Sequence, residues 1–522
     1  MTSLAAALGG RSLRARLAPI DAAMLGRLAL FALGALVIWI SPRPLMIDLP
    51  QHAGQVALLH DLALGCSPWA GEIHVNLLTP YLIGYGLALP LAFVMSAAAA
   101  LKVVLTAAYG AFIWACIAIR RELGASPRLD AFYAFSFFGF AYAWGMYTFL
   151  VAAPLGLAFI WLSIRYARSG LARQGAGLAA LGLALLLSHG LVFLFAGAIG
   201  GLILLVRAKS VRQLIVRSWP FWILLAAAAA FAILTRQREA AITHDFAAKV
   251  VFGAWRAHLL SALLNPFDAP FSPWPAFCIP IFGLPLIAGF RPDWRAREAL
   301  VIVGGVLGAM LLAPHYAWST ALLYERFALF LPPAYAWLLR EQPPAPDSLA
   351  RRLQPRLGLI AGLAAAAILL QHARLSFEFG REQRDFDGVL AAAAPGQRAL
   401  ALIYDPTSQV DRSSNAYMHH ALWYQAERGG FVDFNFAAFH PQIARFRPAA
   451  TPAVDEIIAQ NPTRFDWRAD AGDRYRYIFV RSAGAPPAQM FQGATCAPVQ
   501  IAAAGKWRLY EHRPCAVANA AG

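Results

Sequence analysis

The chain has 522 residues, 59% of them hydrophobic and only 14% charged, with a mean hydropathy of +0.53 and a formal net charge of +16. A soluble domain carries roughly a quarter of its residues as charges, so an ordinary water-soluble enzyme of several domains is excluded. The positive charge sits between apolar runs and forms no basic stripe with interleaved aromatics, which argues against a nucleic-acid partner.

Arg11, Arg14 and Arg16 precede an apolar run that is too long for a cleavable signal and lacks a clear small-residue cleavage site, so the N-terminus reads as a signal anchor. From Ala22 to His372 apolar stretches recur, many of them long enough to cross a ~30 Å hydrocarbon core. Eleven spans are predicted, near 22–40, 97–119, 129–144, 147–164, 175–188, 190–206, 218–235, 274–290, 298–314, 327–339 and 357–373. With the N-terminus inside, the loops assigned to the cytoplasm hold 21 Lys or Arg. Only six stand outside before residue 357: Arg43, Arg236, Arg238, Lys249, Arg256 and Arg326. That bias follows the positive-inside rule.

The apolar stretch Leu77–Phe93 is kept out of the span count, because a crossing there would move Arg120 and Arg121 outside. Pro80, Gly84, Gly86 and Pro90 suit an amphipathic or re-entrant segment at the outer interface. The polytopic α-helical membrane domain is therefore predicted over residues 1–374, with outer loops at 41–96 and 236–273. Residues 375–522 read as an extracytoplasmic globular domain of the α/β or α+β class. Its strand-like runs lie at Arg398–Tyr404, Arg476–Val480 and Trp507–Glu511, and helical patterning surrounds Asn415–Glu427. Cys496 and Cys515 flank the last run, and a disulfide between them fits an oxidising compartment.

Polar groups near a membrane are costly and point to function by default. In Asp48-Leu-Pro-Gln-His52, the carboxylate and imidazole stand four residues apart, on one face of a helix that Pro50 could open. Asp48 could serve as a general base or hold a divalent ion; the plainer reading is a helix cap. His60, Asp61, Glu72 and His74 read more simply as the wet face of the same loop. Lys102 could snorkel to headgroups or face a phosphate. His189 lies at an outer turn, and His244 and Asp245 lie in the second outer loop, where they could meet the first across a cleft. Glu325 and Arg326, in Tyr324-Glu-Arg-Phe327, mark the mouth of the tenth span; arginine suits bidentate phosphate binding, whereas a Glu325–Arg326 pair would only anchor the helix end.

Asp48 soon after the first span, the segment Leu77–Phe93, the long span ending Ile119-Arg-Arg-Glu-Leu-Gly124, Lys102 and Glu325–Pro333 together resemble the GT-C superfamily of integral membrane glycosyltransferases, over roughly residues 22–340. Many members carry an acidic pair in the first loop, where this chain has a single Asp with His52. The resemblance implies inverting transfer of a sugar from a polyprenyl-phosphate donor to a glycan, lipid or protein acceptor, outside a bacterial inner membrane. Asp48 would act on the acceptor hydroxyl, and Arg326, with Lys102, on the lipid phosphate. Two other readings are a lipid or solute transporter and a non-catalytic scaffold. A transporter would place its polar groups near the bilayer midplane.

Overall fold

The computed structural model of the protein describes all residues except 1–21, 240–249, 269–273, 318–319, 411–414, 440, 448–449, 451–453 and 514–522. Without water to satisfy backbone polar groups, apolar sequence in a membrane has to become helix. Helix α1 (Ala22–Trp39) fills the first expected span. Helix α2 (Leu49–Ala63) follows, with Pro50 in its first turn, where a missing N–H costs nothing. Helix α3 (Leu82–Ala92) has 11 residues and Pro90 near its end; at 1.5 Å per residue it is about 16 Å long, too short to cross. Helix α4 (Ala97–Leu123) starts on Ser96, whose hydroxyl accepts the Ala99 N–H, and stops at Gly124 in the left-handed conformation.

The straight span expected at 129–144 does not form. It is divided into a 3-10 turn and two short helices, α5 (Ala131–Ser136) and α6 (Phe140–Trp144). Every residue from Leu129 to Tyr142 is buried, and irregular backbone is tolerated at depth when protein encloses it. Three regular helices follow: α7 (Tyr147–Ser169), α8 (Ala172–Leu186) and α9 (Gly190–Arg207). The run at 274–290 is likewise broken, into Trp274–Cys278, a 3-10 turn and Gly283–Ile287, with a proline in each piece.

Helical segments thus stand at all eleven expected positions, but they are not eleven comparable crossings. Among the described residues four helical stretches are long and apolar enough to span: α4, α7, α9 and the stretch containing Leu357–Glu382. A fifth counts if the bent pair Val211–Arg217 and Trp219–Thr235, angled by 52°, is one span. The chain is a multi-pass membrane protein on this ground.

Leu357–Glu382 runs past the expected boundary at 374 and leads, through Arg384–Ala392, into a five-stranded sheet. Its strands lie in the order 499–504, 507–511, 477–481, 398–403, 431–433. Strand Arg398–Ile403, fourth in that order, is parallel to both neighbours, and the other two pairings are antiparallel. Three of these strands coincide with the predicted runs. Alternate residues face opposite sides, as strand geometry requires. Leu400, Leu402, Ile478 and Val480 join a separate cluster with Trp467 and Tyr475, while Ala399, Phe479 and Trp507 join Phe386 in the main core.

The segment between α1 and α4 and this domain are joined directly. Ile73–Val75 pairs antiparallel with Ala444–Phe446. Arg43 holds Glu427 through two 2.7 Å hydrogen bonds and Asp387 through a third. Arg398 reaches Glu72, and Asp433 at 3.2 Å. Cys496 is disulfide-bonded, and Cys66, Cys116 and Cys278 are free; Cys515 lies outside the described residues.

Candidate functional site

The broken segment that replaced a span is what places Asp48. The backbone N–H groups of Ile47 and Asp48 donate to the carbonyls of Ala143 (3.2 Å) and Trp144 (2.9 Å), the last residues of α6. Gly145 turns away at φ +87°, a conformation that suits glycine. A Cβ there would lie 2.6 Å from the Asp48 nitrogen. Asp48 precedes α2, but its side chain makes no capping hydrogen bond. The cap reading is therefore set aside.

Around this carboxyl the fold gathers side chains from four elements. His52, one turn along α2, meets the Tyr85 hydroxyl of α3 at 2.7 Å through Nδ1. That hydroxyl donates to Gln442 Oε1 at 2.9 Å. Since its one proton is used there, His52 must donate from Nδ1 and keep Nε2 as an acceptor. His189, buried at the start of α9, lies between the rings of Tyr81 (5.3 Å) and Phe149 (5.5 Å). Arg326 is 7% exposed. Its Nε donates to the Leu322 carbonyl at 2.9 Å and its Nη2 to the Ala321 carbonyl at 2.6 Å. No carboxylate forms an ion pair with it among the described residues.

Arg326 lies within electrostatic reach of Asp48, Tyr81 and His189, and His52 within reach of His189. The Asp48 side chain keeps 16% of its surface accessible. Burial pushes its carboxyl up to about 8, against the opposing pull of the Arg326 charge and the Trp144 N–H. Nearby Glu456, from the C-terminal domain, adds to the rise. Burial also takes His52 down to about 3, with His419 adding to that shift, so its imidazole is neutral at any physiological pH. The cluster thus holds a carboxyl, a neutral imidazole and an ion-pair-free guanidinium. This set can accept a proton at one place and balance an anion at another.

The other candidates are placed differently. Lys102 donates to the Ser41 carbonyl at 2.5 Å and lies 5.3 Å over the Trp39 ring, so its ammonium is engaged at the end of α1. Glu325 is paired with His315, so the alternative reading of a Glu325–Arg326 pair anchoring the helix end is set aside. His244 and Asp245 lie outside the described residues. His60 and Asp61 bond to one another at 2.9 Å, and Glu72 serves Arg398. Among the described residues no group of three or more His, Cys, Asp or Glu side chains could hold a metal ion. A cavity of about 660 Å³ opens between the C-terminal ends of α1 and Leu357–Glu382 and the N-terminal end of α4, and neither Asp48 nor Arg326 is in its lining.

Sequence reasoning missed Tyr81, Tyr85, Gln51, Gln442 and His419. The tyrosines fell within an apolar run whose polar tips looked incidental. Gln442 and His419 belong to a domain in which a polar residue is no signal. His419 Nε2 stands 3.4 Å from Asp48 Oδ1.

No family model matches the sequence, and no curated protein does. Among solved structures, that of the arabinofuranosyltransferase AftD from Mycobacteria is similar, with a TM-score of 0.47 and 16% identity, covering 93% of this chain and 39% of that one. A mutant form of AftD gives 0.46 and 14% identity, covering 93% of this chain and 41% of its own. The chain therefore spans well under half the length of the proteins it resembles.

Proposed function

We propose that this protein is an inverting GT-C type glycosyltransferase, moving a sugar from a polyprenyl-phosphate donor to a glycan, lipid or protein acceptor on the extracytoplasmic side of a bacterial inner membrane. In this reading the eleven helical segments, the broken ones at 129–144 and 274–290 included, make the crossings of the membrane domain, with the N-terminus inside and the C-terminal domain outside. One observation supports it above the others: Asp48 and Arg326, 278 positions apart in sequence, are brought within electrostatic reach in one deep cluster.

The chemistry divides between them. The acceptor oxygen attacks the anomeric carbon, and its proton passes to the Asp48 carboxylate. The bond between that carbon and the phosphate oxygen breaks, and its electron pair leaves with the polyprenyl phosphate. Arg326 balances that departing charge. Its Nε and Nη2 are held by two backbone carbonyls, so the guanidinium is oriented before the phosphate arrives. His52, one turn along α2 from Asp48, keeps a neutral Nε2 that can accept from the acceptor hydroxyl.

The test is transfer from radiolabelled polyprenyl-phosphate sugars in proteoliposomes, comparing wild type with Asp48→Asn and Asp48→Ala. Removal of a general base lowers rates by about 10²–10⁴-fold, and both variants should lose transfer in that range. Equal transfer by all three would remove Asp48 from the mechanism.

A further inference from the structure

Helix α2 is the rail on which the C-terminal domain sits. Gln51 and Gln55, one turn apart, accept backbone N–H groups of Phe436 (2.9 Å) and Ala444 (3.0 Å) through their side-chain oxygens. On the same helix Gly54 leaves room for Gln425, whose Nε2 would lie 2.8 Å from a Cβ at that position. These contacts bring His419 over the start of α2, buried against the Phe436 ring at 6.1 Å.

The hydrogen-bond directions then follow from donor counting. The Gln51 oxygen is taken by Phe436, so the Gln51 amide nitrogen, 3.1 Å from His419 Nδ1, is a donor. His419 Nδ1 must accept, and the ring proton is left on Nε2. That nitrogen is the one 3.4 Å from Asp48 Oδ1.

We infer that His419 is a positioning residue for Asp48: its Nε2–H, with the tautomer set by Gln51, orients the carboxylate of the first outer loop from the C-terminal domain. The site is then built by both parts of the chain, and docking of the C-terminal domain completes it. This inference rests on the proposed role of Asp48 for its meaning in catalysis, but not for its structural content. An N–H aimed at a carboxylate from 3.4 Å favours its charged form and so lowers its pKa; losing that N–H should raise it. The other groups facing Asp48 are Arg326, Glu456, Tyr85 and Trp144, none of which the experiment alters.

The full chain in lipid nanodiscs is titrated from about pH 5 to 10 while the carboxyl stretch is followed by infrared difference spectroscopy; Asp48→Asn identifies the band. In His419→Ala the Asp48 midpoint should rise by about one unit. His419→Gln, which restores an N–H near the Nε2 position, should bring it back to within about 0.3 unit. A midpoint unmoved by His419→Ala, or moved equally by both variants, overturns the inference. No donor is needed for this measurement. Absence of transfer by wild type would therefore sink the glycosyltransferase reading and leave His419 assigned. Asp48-dependent transfer with an unmoved midpoint would do the reverse.

Discussion

Burial keeps the Asp48 carboxyl neutral up to about pH 8, whereas a general base must be ionised before it can accept a proton. The sign is therefore definite: the working anion is scarce below that value and predominates above it. Transfer should climb close to tenfold per pH unit between about pH 6 and 7.5 and level off above about 8.5. A kcat/KM profile flat across that interval would show that no base with a raised pKa is in use. His52 and His419, taken by burial down to about 3 and 4, stay neutral throughout and add no second limb. At this scale Asp48 and Arg326 were legible because charged groups beside apolar runs are expensive and therefore stand out. His419 was not, since a histidine in ordinary globular sequence carries no such penalty. Glu325 was legible as a residue but not as a partner: His315, ten positions earlier, competes with the adjacent Arg326 and holds it.

Helices and breaks position these groups. The run 129–144 is apolar throughout, and apolarity alone cannot distinguish a lipid-facing span from a segment enclosed by protein on every side. Here enclosure permits the break, and the exposed carbonyls at the end of α6 hold the chain just before α2. Gly145 is the narrowest point of that contact. Gly145→Ala would put a Cβ at φ +87° and within 2.6 Å of the Asp48 nitrogen. It should destabilise the protein by about 1–3 kcal/mol and lower transfer far more than such a loss of stability explains, because Asp48 is displaced. Thermal unfolding in detergent and transfer in proteoliposomes read the two effects separately. A variant with lower Tm and wild-type transfer would mean that the contact supports the fold and not the site.

At the scale of the molecule, the positive-inside bias and the length of Leu357–Glu382 lead to the expectation that the C-terminal domain lies outside, on the side of Asp48. The structure joins the two through Arg43, Gln51, Gln55 and the strand pair 73–75 with 444–446. A reporter that works only outside the cytoplasm should therefore be active when fused to the C-terminus, and a cytoplasmic reporter there should be silent. The opposite pattern would overturn the orientation and, with it, the extracytoplasmic placement of the reaction. Composition by itself marked this chain as a multi-pass membrane protein, because transfer free energies add residue by residue, and the distribution of arginine gave the expected sidedness of its loops. Which polar groups meet was decided only by the tertiary structure. Hydrogen-bond donors and acceptors are satisfied in pairs, and the partners of Asp48 come from elements up to several hundred residues apart. No local sequence pattern ties such elements to one another.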